Sequence, residues 1–139
     1  MATRRTPIAG GNETLLVAED EESVMQLLVD LLESQGYRVL TARDGAEAIS
    51  VLKAELGRID LVVLDVVMPK VSGLEVVAHL RRTAPHIPIL LSTGFGTAAI
   101  DPATLSLSGL AILEKPYSPY ELFRSVRNLL DARSNPPPP

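Results

Sequence analysis

At 139 residues, with 46% hydrophobic and 22% charged side chains, the chain has the makeup of one ordinary globular domain able to bury a core. Its formal net charge of −4 argues against direct nucleic-acid binding, which usually needs a basic surface. The absence of cysteine excludes disulfides, thiol chemistry and Cys-ligated zinc. No stretch approaches the roughly 18 apolar residues of a membrane span, and Met1 to Thr6 leads into no apolar signal-peptide core, so a cytoplasmic setting without membrane contact is expected.

Residues 1–13 carry Arg4, Arg5, Pro7, Gly10 and Gly11 and little apolar content, so a flexible tail is expected there. Leu15 to Ala18 reads as a first strand ending in Glu19 and Asp20. Val24, Leu27, Leu28, Leu31 and Leu32 follow helical spacing, and Gly36 stands where a helix stop belongs. Tyr37 to Ala42 reads as a second strand. Asp44 and Glu47 match a capping box that opens a helix with Ala48, Ile49, Leu52 and Leu56 inward. Asp60 to Asp65 is apolar on both faces, as a central parallel strand should be.

A helix over roughly 73–84 follows, with Leu74, Val77 and Leu80 on one side, and then a strand from Ile87 to Ser92. The segment from Thr93 to Gly109 is the least regular. Within it, Asp101-Pro102 looks like a cap and first-turn proline of a short helix. Leu110 to Leu113 is a fifth strand. Ser118, Pro119 and Glu121 combine a cap, a first-turn proline and a capping-box acid. They open a last helix with Leu122, Val126, Leu129 and Leu130 inward. Residues 132–139 end in Pro136 to Pro139 and are expected to form a stiff Pro-rich tail, so the domain spans residues 14–131.

Alternating strands and helices imply an α/β domain: a doubly wound parallel sheet with helices on both faces. Ligands of such sheets sit beyond the carboxyl ends of the strands. Glu19, Asp20, Asp65, Thr93 and Lys115 all fall there. Taken singly, each has an ordinary explanation as a turn residue, a cap or a solvated charge. Their convergence on one edge is what makes them a candidate site. Three carboxylates in one place raise one another's pKa or demand a cation, and oxygen-only ligands suit a hard ion such as Mg²⁺, with Mn²⁺ as a substitute. Asp65 is then a candidate nucleophile toward a phosphoryl group. Lys115 is the ammonium that neutralises transferring charge, and Thr93 the hydroxyl that bonds the phosphoryl oxygen afterwards.

The stretches Leu16 to Glu21, Asp44 to Ala48, Leu64 to Pro69 with Gly73, Ser92-Thr93-Gly94 and Glu114 to Tyr117 together resemble the receiver domain of two-component response regulators over roughly residues 14–131. The resemblance implies a flavodoxin-like sheet of order 2-1-3-4-5 with five helices. It implies Asp65 as phosphoacceptor, and Glu19, Asp20, Asp65 and the Val67 backbone carbonyl around the metal. It also implies Thr93 as switch hydroxyl, Lys115 as phosphate-pairing lysine, and a cis peptide between Lys115 and Pro116. It names the expected partners as well: a histidine kinase or a histidine phosphotransfer protein as donor, and a second copy of the chain through helix four, strand five and helix five. The Gly10 to Thr14 approach and the Ser92 to Phe95 run resemble receivers of hybrid histidine kinases, while a stand-alone regulator is the other reading.

The sequence departs from the family pattern at informative places. Glu19 stands where many members have aspartate. Ile112 stands where an aromatic often turns inward, so an aromatic gate at that position is not expected. Val67 and Phe95 flank the site without groups to orient water, which predicts slow self-dephosphorylation. Val67 also lacks the second acid that a haloacid-dehalogenase-type phosphatase requires, and Glu19 to Glu22 would repel the phosphate of a flavodoxin-like cofactor. His79 and His86 are expected at the surface and not as phosphodonors. No metabolic enzyme activity is expected beyond the chain's own phosphorylation and dephosphorylation.

Overall fold

The apolar runs form β1 (Thr14–Ala18), β2 (Arg38–Ala42), β3 (Leu61–Asp65), β4 (Ile89–Thr93) and β5 (Leu110–Glu114). They alternate with α1 (Glu22–Ser34), α2 (Gly45–Ala54), α3 (Gly73–Thr83), α4 (Pro102–Leu105) and α5 (Pro119–Ser134), and a 3-10 turn spans Leu56–Arg58. The computed structural model describes residues 8–94, 96–97 and 100–134. The strands are all parallel in the order β2-β1-β3-β4-β5, as the family resemblance implied.

Period-two alternation divides the core in two. Leu16, Val62, Leu64 and Leu91 meet Leu52, Val77 and Leu80 of α2 and α3 on one face. Leu15, Val17, Val63 and Leu90 meet Leu28, Leu32, Leu122, Val126 and Leu130 of α1 and α5 on the other. All five residues of β3 are buried, which explains its unbroken apolar sequence. Truncating one of these side chains, for example Leu64→Ala, should cost about 2–5 kcal/mol.

Local signals set most boundaries. The Asp44 side chain accepts from Glu47 N–H at 2.8 Å, and Ser118 Oγ accepts from Glu121 N–H at 3.1 Å. Gly36 ends α1 with a φ of +96°, the left-handed region that glycine enters without steric cost.

Several expectations are corrected. Leu27 keeps its helical spacing but is 58% exposed, because its side of α1 borders an open groove. Leu56 falls in the 3-10 turn after α2 has ended and is exposed. α4 has only four residues, and Asp101 makes no side-chain cap bond, so Pro102 alone supplies the start signal. Tyr37 is buried but precedes β2.

Residues flanking 14–131 also make contacts with the domain. Gly11 N–H donates to the Gln35 carbonyl, and the Glu13 carbonyl accepts from Arg38 N–H. Arg127 grips both oxygens of the Glu13 carboxylate, at 3.2 and 2.7 Å. At the other end α5 runs on to Ser134, where Arg133 pairs with Asp60 at 2.9 Å. Phe95 and the Pro136 to Pro139 run lie outside the described residues.

Candidate phosphoacceptor and metal site

The order β2-β1-β3 reverses the winding direction between β1 and β3, so their carboxyl ends open into the crevice where ligands of such sheets bind. β1 delivers Glu19 there, with Asp20 just beyond, and β3 delivers Asp65. Lys115 directly follows β5 and is joined to Pro116 by a cis peptide, and its backbone N–H is held by the Thr93 carbonyl at 2.8 Å.

Lys115 Nζ lies 3.0 Å from Asp65 Oδ2 and 3.6 Å from Glu19 Oε2. The other Asp65 oxygen accepts from Val67 N–H at 3.2 Å. That bond fixes the peptide after Val66, while the Val67 side chain is exposed. Gly73 packs directly on the Asp65 carbonyl, where a Cβ would collide, so α3 approaches the strand end closely only because residue 73 has no side chain. Thr93 is 2% exposed, and its hydroxyl donates to the Gly96 carbonyl at 3.1 Å. Of the expected site residues, Glu19, Asp20, Asp65 and Lys115 come together, and Thr93 sits beside them on β4.

The electrostatics show a cluster short of positive charge. Carboxylate oxygens of Glu19, Asp20 and Asp65 all lie within 4.8 Å of one another. Burial pushes the Glu19 carboxyl up to about 7; the Glu21 N–H pulls against this and the neighbouring Asp65 charge adds to it. Burial pushes the Lys115 ammonium down, but its bond to Asp65 and the charges of Asp65 and Glu19 outweigh that and hold it above the ordinary lysine range. One lysine facing three acids, one of them held partly protonated, is the environment a hard divalent cation relieves.

Two neighbours of this site stand in the quoted motif stretches but were given no role there. Ser92 pairs in register with Asp65 and is 3% exposed. Tyr117 packs on the same face and, with Lys115, Val24, Leu27 and Leu31, lines an apolar groove of about 480 Å³ beside α1. Strand alternation carried the signal for Ser92, since it puts that residue on the Asp65 side. His86 is exposed and His79 half-buried.

A five-stranded parallel sheet with acids and a lysine at its carboxyl edge defines a receiver-type α/β domain. The sequence matches the family model of the response regulator receiver domain over residues 15–127, and the chain belongs to that family, which serves two-component signalling. It is 41% identical over 119 residues to the alkaline phosphatase synthesis transcriptional regulatory protein PhoP of Bacillus subtilis (strain 168), pairing 86% of this chain with 49% of that protein. It is 34% identical over 121 residues to the sensor kinase CckA of Brucella abortus (strain 2308), pairing 87% of this chain with 13% of that one. A solved response regulator receiver domain protein from Clostridium thermocellum superposes with a TM-score of 0.81 at 27% identity, covering 88% of this chain and 98% of that one. The chain thus spans about half the length of PhoP. No helix among the described residues is long and apolar enough to cross a membrane.

Proposed function

We propose that the chain is the phosphoacceptor of a phosphorelay, taking a phosphoryl group onto Asp65 from a phosphohistidine of a histidine kinase or phosphotransfer protein. The observation that carries this reading is Lys115 Nζ on Asp65 Oδ2 at 3.0 Å within a cluster of three carboxylates. A carboxylate oxygen of Asp65 attacks phosphorus as the donor's P–N bond breaks. The imidazole leaves with the electron pair and takes up a proton, and Asp65 becomes an acyl phosphate. Glu19, Asp20 and Asp65, with the Val67 carbonyl, would hold Mg²⁺, whose charge offsets that on the transferring group. Lys115 supplies a fixed positive charge on the opposite carboxylate oxygen.

Thr93 then exchanges its Gly96 partner for the phosphoryl oxygen, which draws on the segment between β4 and α4 and alters the face formed by α4, β5 and α5. That face is the expected contact for a second copy. A donor protein whose histidine reaches Asp65 also covers the apolar groove beside α1, because Gly94 and Lys115 border both. Val67, exposed over the site, offers no group to orient water, so the acyl phosphate should persist. The similarity to CckA favours a receiver that works within or beside a hybrid kinase in the cytoplasm. The similarity to PhoP keeps the separate-regulator reading. Labelling with a small acyl-phosphate donor and Mg²⁺, compared between wild type and Asp65→Asn, tests the assignment; equal labelling of the variant would refute it.

A further inference from the structure

The proposed metal ligands arrive on two separate segments. Glu19 and Asp20 follow β1, while Asp65 and Val67 belong to the end of β3 and to the segment 66–72 that leads into α3. Mg²⁺ demands near-ideal octahedral geometry, so the spacing of the two segments governs how tightly it is held. Both segments rest on the same third piece of chain, the turn from Ala42 to Gly45 between β2 and α2. On the β1 side, Glu19 N–H donates to the Ala42 carbonyl at 3.0 Å. Thr41 and Arg43 line the same cleft, of about 320 Å³, as Glu19 and Asp20.

On the β3 side, Gly45 is buried flush against Val71: a Cβ on residue 45 would collide with the Val71 carbonyl and crowd its side chain. Asp44 adds a second tie. Its Oδ1 caps α2 through Glu47 N–H, and its Oδ2 lies 3.5 Å from Lys70 Nζ. Asp44 is not one of the clustered acids, so this contact leaves the metal site's own oxygens untouched. Lys70 holds a φ of +67°, the left-handed region that a lysine enters only at a cost. Its neighbours fix the segment around it. Val71 N–H donates to the Pro69 carbonyl at 2.9 Å, Gly73 N–H donates to the Val66 carbonyl at 3.0 Å, and Met68 is buried in the core. The segment that presents Val67 is therefore pinned within itself and pressed against the start of α2.

We propose, resting on the phosphoacceptor reading and its metal site, that the turn from Ala42 to Gly45 is a brace between the two halves of that site. Gly45 and the Asp44–Lys70 pair are positioning residues: they set the distance from Glu19 and Asp20 to the Val67 carbonyl. Groups that orient metal ligands in this way commonly govern affinity by about ten- to a hundredfold.

The test is calorimetric titration with Mg²⁺ and thermal melting of the full chain, comparing wild type, Gly45→Ala, Lys70→Gly and Val126→Ala. Gly45→Ala acts in the first turn of α2, where alanine is the better helix former. It should nonetheless weaken Mg²⁺ binding about tenfold or more, by pushing Val71 away. Lys70→Gly guards against a failure to fold, since glycine takes the φ of +67° freely. It should melt no lower than wild type and still bind Mg²⁺ about two- to threefold more weakly, the scale of one exposed ion pair. Charge alone predicts the reverse sign, because removing a positive charge from this segment favours a cation. Val126→Ala removes core volume beneath α5, on the other face of the sheet from α2; it should melt lower and keep wild-type Mg²⁺ affinity. A folded Gly45→Ala with wild-type affinity would overturn the brace, as would Lys70→Gly binding as tightly as wild type or more tightly. An equal loss of affinity in Val126→Ala would assign the effect to general destabilisation and overturn it too. Each of these results leaves the phosphoacceptor reading intact. Failure of wild type to bind Mg²⁺ at all would overturn the metal site and the brace with it.

Discussion

Two charged clusters sit at opposite ends of the sheet, and they are built on opposite principles. At the amino-terminal end of the strands, Arg127 bonds Glu13 through both carboxylate oxygens and also reaches Asp131, the Gly10 carbonyl and the Tyr37 hydroxyl. The acid is held below its usual carboxylate range by that guanidinium, and the guanidinium is pushed up in return. At the carboxyl end, three acids share one lysine and Glu19 is driven up to about 7. The first cluster is internally satisfied and serves the fold. The second lacks a balancing positive charge, which is what the proposed cation would supply.

The largest test of this contrast is to exchange the roles. Lys115→Met should reduce phosphorylation of Asp65 by about two orders of magnitude, read as the initial labelling rate, because a preorganised charge at the transferring group is lost. Asp65→Asn should abolish labelling yet raise the melting temperature at neutral pH, since it removes one of the crowded charges. A variant that melts lower than wild type would contradict the imbalance argued here. Arg127→Met should do the reverse. It should cost about 2 kcal/mol in denaturant unfolding, discounted because the pair is partly exposed, and leave Asp65 labelling near the wild-type rate.

Acidity separates the clusters more finely. Folding raises the Glu19 carboxyl from 4.5 to about 7, so the folded chain binds that proton more tightly than the unfolded one. The resulting stabilisation is fully present below about 4.5 and is lost as pH rises through about 7. Saturating Mg²⁺ should flatten this slope in thermal melts, because the metal binds the ionised form. Glu13 has the opposite sign. Its depressed value gives stability that is present above the ordinary 4.5 and lost as pH falls further, and Glu13→Gln should remove that acid limb. The smallest effect expected is at a helix cap, where Ser118→Ala should cost about 1 kcal/mol without touching phosphorylation.

How far the sequence could be read follows from the range over which each signal acts. The strand–helix alternation was legible because apolar spacing and turn residues act within a few positions. Asp44 and Ser118 were legible as caps because a side chain three residues from an N–H meets it whatever else the chain does. The exposure of Leu27 was not legible, since helical spacing places it beside Leu28 and Leu31 and only the open groove leaves it exposed. Glu13 was taken for tail because its partner lies 114 residues away. Ser92 was quoted as a motif position but given no role, because its significance depends on which residue stands opposite on the neighbouring strand.

The sequence by itself determined the elements, the acidic ends of β1 and β3, and the lysine after β5, because each is written in contiguous residues. The tertiary structure decided what those groups are to one another. It brought Lys115 onto Asp65 across 50 residues and buried Glu19 until its carboxyl no longer ionises freely. It also set Thr93 on the Gly96 carbonyl and lined Ser92 up with Asp65. Those outcomes depend on desolvation and on distances between charges, and both exist only once the parallel sheet has closed the strands side by side.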